Sequence, residues 1–598
     1  MEHEFVPHDH SLISHRELES RSPEDAKLWL EEQSNKALKY LLALHSYRNT
    51  LSPIHRLPNE LLAEIFSISA HFCDTPTTVI YLSHVCRRWR SLILQLPKFW
   101  STIDVENLDR TRAFFARSQD QPVTIYWGPR PDRWMPLSDL DSNYIKKYSA
   151  RFGLVDDLKP LIVEHSKRIR KICIKRQLPE DVTWLFRDPD MEITYPSLEE
   201  LIIDTKHPIL LSTLPPDNAD DIVNFCFDSA PKLTTLMLRG HRFTWDLEEV
   251  AFQGLRVLKL HDMESPSRLL HSAFMEALDA CPDLEHLELH SAGPNAIMPS
   301  PYPPSPYLTD PLVLSKLRKL DLDLETPAIR DLLKCIVVPE SATIQLSCTS
   351  VRELMGVDII PRGCNHLLPL RRVVKIVIRS DNLPTTFSIE GWSSGPNEER
   401  VFELSIRSPW STAQMDLNAI VDIDNSLSLL SVIFPRQLIH TVILAIAIEP
   451  TQPLDFLQNF PRLVTVEYGS SDTLDVVRAK RGVATVASID QLRTILMLWG
   501  LQKLTLNNLD LPDETCVSME GLLMARNRMG LAKLKSLTVL ECEFEGSPRS
   551  SLSPKEWKEK LGPLVDEFEY QEVDRESYMW YNPFAYTTED EDFEQYFH

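Results

Sequence analysis

The segment LEHLEL, residues 284–289, sends Leu284, Leu287 and Leu289 inward, while His286, Glu288 and the following His290 project from the opposite side of a strand. The same apolar-x-x-apolar-x-apolar pattern starts at Ile169, Leu198, Leu233, Leu255, Leu284, Leu317, Val373, Val401, Leu463, Leu501 and Leu534. Helix-like stretches that stop just before a proline precede several copies: SAFMEALDACPDLEHLEL (272–289), IVNFCFDSAPKLTTLML (222–238) and LDFLQNFPRLVTVEY (454–468). One strand and one helix cannot bury their shared apolar face alone, and stacking such units supplies the missing cover. The fold class predicted is therefore α+β or α/β, with a parallel sheet built from repeated helix and strand units.

These copies resemble leucine-rich repeats of the degenerate, helix-containing type, although the family's regular Asn after the strand is missing. The resemblance implies a solenoid over residues 106–545 whose outward strand residues line a concave face. Stacking in sequence order places Arg239, His261 and His290 in one column flanked by Asp204 and Asp323, with Met237, Lys259, Glu288 and Asp321 one step earlier. Arg239, Lys259, His261, His286 and His290 are the candidate target-binding residues. Their charge suits a carboxylate-bearing or phosphorylated segment, and protonation of the histidines is expected to strengthen its binding at lower pH. Interruptions are expected at the Pro-rich stretch 292–311 and at SIEGWSSGPNEER (388–400), both read as loops. Residues 546–598 read as a Ser/Pro linker followed by an acidic, aromatic tail.

Toward the start the rhythm is helical. Residues 1–22 are expected to be disordered, and SPEDAKLWLEEQSNKALKYLLALHSYRN (22–49) has Ser22 as a cap, Pro23 at the first helical position and Asp25 as a capping acid. It predicts a leading amphipathic helix, the element assigned to residues 23–49, that packs on its own neighbour. In PIHRLPNELLAEIFSIS (53–69), Leu61, Leu62, Ile65 and Phe66 make one apolar stripe behind Leu57 and Pro58. A second helix after Pro76 carries Leu82, Val85, Cys86, Trp89 and Ile93, and LPKFWSTI adds a short third element.

Together IHRLPNELLAEIF, HVCRRWRSLI and LPKFWSTI resemble the F-box, above all the F-box-like form common in mushroom-forming fungi. The resemblance covers residues 50–105. It implies that Leu57, Pro58, Leu61, Leu62, Ile65, Phe66, Leu82, Val85, Cys86 and Trp89 divide between the domain's core and the groove of a Skp-type adaptor, which delivers the protein to a cullin. The function implied is that of the substrate-recognition subunit of a cullin-based ubiquitin ligase, with an unknown protein target held by the repeats. Two other readings stay open: an adaptor-binding regulatory or scaffold protein that delivers no substrate, and an enzyme hidden in the C-terminal region.

Composition narrows the field further. A formal charge of −23 argues against a nucleic-acid partner, whose phosphates call for basic surface. No run of eighteen apolar residues occurs and the start MEHEFVPHDHSLISHRE lacks a basic, then apolar leader, so no membrane partner and a cytoplasmic or nuclear location are expected. The ten cysteines include no C-x-x-C pair and read as buried thiols, not as a zinc module. Phosphate-cradling, HExxH and GxSxG motifs are absent, so no catalytic residue, cofactor or metal is assigned.

Overall fold

The computed structural model describes residues 21–72, 76–105, 107–128, 152–175, 194–204, 223–224, 230–240, 243–244, 254–263, 271–292, 310–349, 359–360, 366–381, 386–395, 398–407, 427, 430–445, 454–469, 488–507, 509, 511, 513–542 and 552–573. The segments 1–20 and 574–598, and most of the Pro-rich stretch 292–311, lie outside them. Two compact units divide the chain, Met1–Lys171 and Ile172–His598. Among the described residues no helix is long and apolar enough to cross a membrane.

The first unit opens with α1 (Pro23–Leu51), whose Ser22 side chain accepts from the Asp25 backbone N–H as read from the sequence. Its predicted packing fails: α1 has no buried residue, and Leu28, Leu38, Leu41, Leu42 and Leu44 are all exposed. A short 3-10 turn (Pro53–Arg56) leads to α2 (Asn59–Phe72). The single second helix read from the sequence is two, α3 (Pro76–Val85) and α4 (Arg87–Gln95). Cys86 breaks it: its backbone is extended, and its Sγ accepts from the Trp89 N–H as the cap of α4. Then follow a 3-10 turn (Pro97–Trp100), β1 (Thr102–Asp104), α5 (Leu108–Ser118), β2 (Val123–Trp127) and α6 (Phe152–His165), with β1 parallel to β2. The compact unit thus runs past residue 105, because Trp100 packs edge-on against Phe114 and donates through its indole N–H to the Ile93 carbonyl.

Strand β3 (Ile169–Lys175) holds the point of division. The second unit is a large, mostly parallel sheet of strands that alternate with helices. It runs in sequence order through β4 (Glu200–Asp204), β5 (Thr235–Arg239), β6 (Val257–His261), β7 (His286–His290), β8 (Lys319–Asp323) and β9 (Thr343–Thr349). The inward leucines are buried as the alternation requires, Leu258, Leu260, Leu287, Leu289, Leu320 and Leu322 among them. After β5, β6 and β7 the chain leaves through Gly240, Asp262 and Ser291, all at positive φ, and each exit N–H bonds to the last residue of the next strand. That recurrent turn keeps successive strands in one register; Asp tolerates it and Gly adopts it freely.

Order then breaks. Of β10 (Val373–Asp381), β11 (Thr386–Ser393) and β12 (Arg400–Arg407), the last pairs parallel with β9, β11 runs antiparallel between β12 and β10, and β10 continues, parallel, to β13 (Thr441–Ala445). The stretch expected as a loop at 388–400 is therefore strand up to Ser393 and again at Arg400. Gly391 is the reason for both the misreading and the strand: a Cβ there would meet the Val373 side chain at 2.9 Å, so glycine permits the close approach. From β13 the order resumes through β14 (Thr465–Gly469), β15 (Lys503–Asn507), β16 (Ser536–Cys542) and β17 (Glu567–Val573). Helices α7 (His271–Asp279), α8 (Thr326–Cys335), α9 (Ile489–Leu496), α10 (Asp513–Arg528) and α11 (Pro554–Leu561) come between strands.

Every one of the eleven sequence signatures coincides with a strand: β3 to β8, β10, β12, β14, β15 and β16. Three expectations need correction. Val223–Asn224, inside a stretch read as helix, is a short strand paired with Phe243–Thr244. The supposed linker and tail contain α11 and β17, so the ordered sheet continues past residue 545. The sheet also departs from sequence order between β9 and β13.

Candidate functional site

Two clusters of side chains stand out, one in each unit. In the first, α2 to α4 form a small helical module whose core is Leu62, Phe66, Val79, Leu92, Ile93, Phe99 and Trp100. Phe66 packs on Trp89 with ring centroids 4.6 Å apart. Arg88 ties the entry segment to α4: its guanidinium donates to the carbonyls of His55 and Leu57 and to Asn59 Oδ1. The segment PIHRLPN is thereby pinned on α4, which fixes where α2 begins.

The apolar stripe of α2 splits by one residue. Leu62 and Phe66 are 0% and 1% exposed, whereas their neighbours Leu61 and Ile65 are 52% and 38% exposed. Val85 at the end of α3 is 57% exposed, Pro58 is exposed, and Leu57, Leu82, Cys86 and Trp89 are half-buried. The ten residues named from the sequence thus divide into core and surface. Exposed Ile68, Tyr81 and Leu94 belong to the same three helices and were not singled out; their apolar identity was the available signal.

In the second unit, register brings the predicted columns together. Asp204, Arg239, His261, His290 and Asp323 are successive Cα partners, and Met237, Lys259, Glu288 and Asp321 form the row beside them. His286 pairs with Val257 and Lys319, one step before that row. Arg239, Lys259, His261 and His290 of these rows already face acids. Arg239 Nε donates to Asp262 at 2.9 Å, and Lys259 Nζ lies 2.6 Å from Glu288. His261 Nε2 stands 2.9 Å and His290 Nε2 3.9 Å from Glu288 Oε1, and His290 Nε2 is 3.1 Å from Asp321 Oδ1. The imidazole rings of His261 and His290 stack at 4.6 Å, 11° from parallel.

Those contacts shift the titration of each group. Burial, then the neighbouring His290, push His261 below the usual imidazole range. His290 moves up instead, because Asp321 bonds to its ring. Burial alone would raise Glu288 and Asp321, but Lys259 and His290 respectively, with the other cations around them, hold both carboxyls low. The two histidines thus shift in opposite directions, and His290 keeps its proton to higher pH than His261.

The comparisons with known proteins bear on the first unit. Residues 54–106 match the family model for the F-box-like domain. No curated protein aligns significantly with the chain. The matched span begins at the Arg88-pinned entry, takes in α2, α3, α4 and Trp100, and ends just beyond β1.

Proposed function

We propose that this protein, which carries an F-box-like domain at residues 54–106, is the substrate-recognition subunit of a cullin-based ubiquitin ligase. F-box domains generally bind Skp-type adaptors, and the observation that carries the reading is the divided stripe of α2. Leu62 and Phe66 complete the core while Leu61 and Ile65, with Val85 nearby, stay exposed. A module of about fifty residues is only marginally stable alone, and association completes such modules. Exposed leucine and isoleucine beside a finished core suit a groove on a partner. The sheet of the second unit, as a leucine-rich-repeat-like receptor, would hold the target through Arg239, Lys259, His261, His286 and His290. The protein contributes proximity, not bond chemistry, to transfer of ubiquitin.

The test is reconstitution of the full chain with a Skp-type adaptor and a cullin. A stable ternary complex, with ubiquitin transferred to a protein that co-purifies through the second unit, is the expected outcome. A chain that takes up the adaptor but is never joined to the cullin would instead be a regulatory or scaffold protein.

A further inference from the structure

We propose that His261, Glu288 and His290 form a binding site for a divalent transition-metal ion of the zinc class, with Asp321 beside them as the partner of His290. The four residues come from three consecutive strands: His261 from β6, Glu288 and His290 from β7, and Asp321 from β8. They share one face of the sheet, because Glu288 and His290 are two apart and the strands are in register. One ligand atom each of His261, Glu288 and His290 lies within 4.8 Å of the other two.

The orientation of the donors is what distinguishes this cluster from an ordinary charged patch. Each carboxylate gives one oxygen to a lysine and turns the other toward the imidazoles. Glu288 Oε2 takes Lys259 and Asp321 Oδ2 takes Lys319, at 2.6 and 2.7 Å. Glu288 Oε1 and Asp321 Oδ1 face the ring nitrogens at 2.9, 3.9 and 3.1 Å. Neighbouring ligands of a tetrahedral ion with bonds of about 2.0–2.1 Å stand about 3.3 Å apart, and the observed separations bracket that distance. The lysines occupy the place of outer partners that orient ligating carboxylates.

A second, independent observation points the same way. His261 Nε2 is buried 2.9 Å from Glu288 Oε1 and makes no well-aligned hydrogen bond. A buried polar atom left so costs free energy that coordination would recover. Two imidazoles and a carboxylate favour a borderline ion such as zinc over calcium or magnesium, which take oxygen shells, and over thiolate-seeking copper(I). Three protein donors leave a fourth position open to an outside donor, and the ion would tie β6 to β7. None of this depends on the adaptor reading.

Full-length protein stripped with a chelator should bind one zinc ion per chain by calorimetry, and cobalt(II) in its place should show the intense visible absorption of a four-coordinate site. Glu288→Gln and His290→Ala should each weaken zinc by roughly a hundredfold or more, beyond the losses seen when outer partners are changed. His440→Ala, an exposed histidine outside the cluster, should bind as the parent does. Zinc should also raise the melting temperature of the parent but not of the near-isosteric Glu288→Gln protein, which separates lost coordination from lost folding. No saturable zinc binding by the parent, or binding that survives both substitutions, would overturn the site.

Discussion

Single arginines hold both units at places where the backbone would otherwise leave carbonyls unmet. Arg526 is fully buried on α10 and donates to the carbonyls of Leu496, Leu498, Leu501 and Ala532 at 2.6 to 2.9 Å. Leu496 ends α9, so the cation also meets the negative end of a helix. Arg526→Met strands those acceptors and should lower stability by about 3 kcal/mol or more, read as an earlier urea transition of the second unit. Arg88 does the same for the F-box-like module. Arg88→Met should cost about 2 kcal/mol and speed amide exchange across residues 53–59, and unchanged exchange there would refute the clasp. Neither role was readable beforehand. In CRRWRS three arginines look alike, and a fully buried arginine contradicts the general expectation that the residue stays at the surface. Leu61 against Leu62 shows the opposite case: periodicity put both on the stripe, but only packing tells which one the core consumes.

At the scale of elements, readability follows how local the signal is. Strand existence is written in six residues, which is why all eleven copies of the LEHLEL pattern are strands. β13 and β17 carry it too, at Ile439, Val442 and Leu444 and at Val565, Phe568 and Tyr570, so their signal was present but passed over among helix-like and acidic surroundings. β9 lacks the leading apolar position and β11 hides behind Gly391. The exchange of order among β10, β11 and β12 depends on which distant strand each one meets, and no local pattern encodes that. The C-terminal end offers a direct check. Ser553 and Glu556 make a reciprocal capping box on α11, which buries Trp557 beside Tyr570 of β17. Ser553→Ala should destabilise α11 by about 1 kcal/mol, seen as faster exchange in α11 and β17 with the rest of the sheet unchanged.

For the molecule as a whole, the proposal assigns adaptor capture to the first unit and target capture to the second, so the two functions should be separable by substitution. Arg239 sits between Asp204 and Asp262, and Arg239→Glu would gather three acids on the sheet face. It should weaken target capture and leave adaptor binding at the parental level; a parallel loss of both would show that the assignments are not independent. The most direct measurement is adaptor binding by full-length Leu61→Asp/Ile65→Asp. Both side chains are exposed, so the acids spare the Leu62 and Phe66 core, while charge placed in an apolar groove should cost several kcal/mol. The parent should capture a Skp-type adaptor stably and the double variant at least about a hundredfold more weakly, with an unchanged melting curve. Equal capture by the two proteins would contradict the docking face.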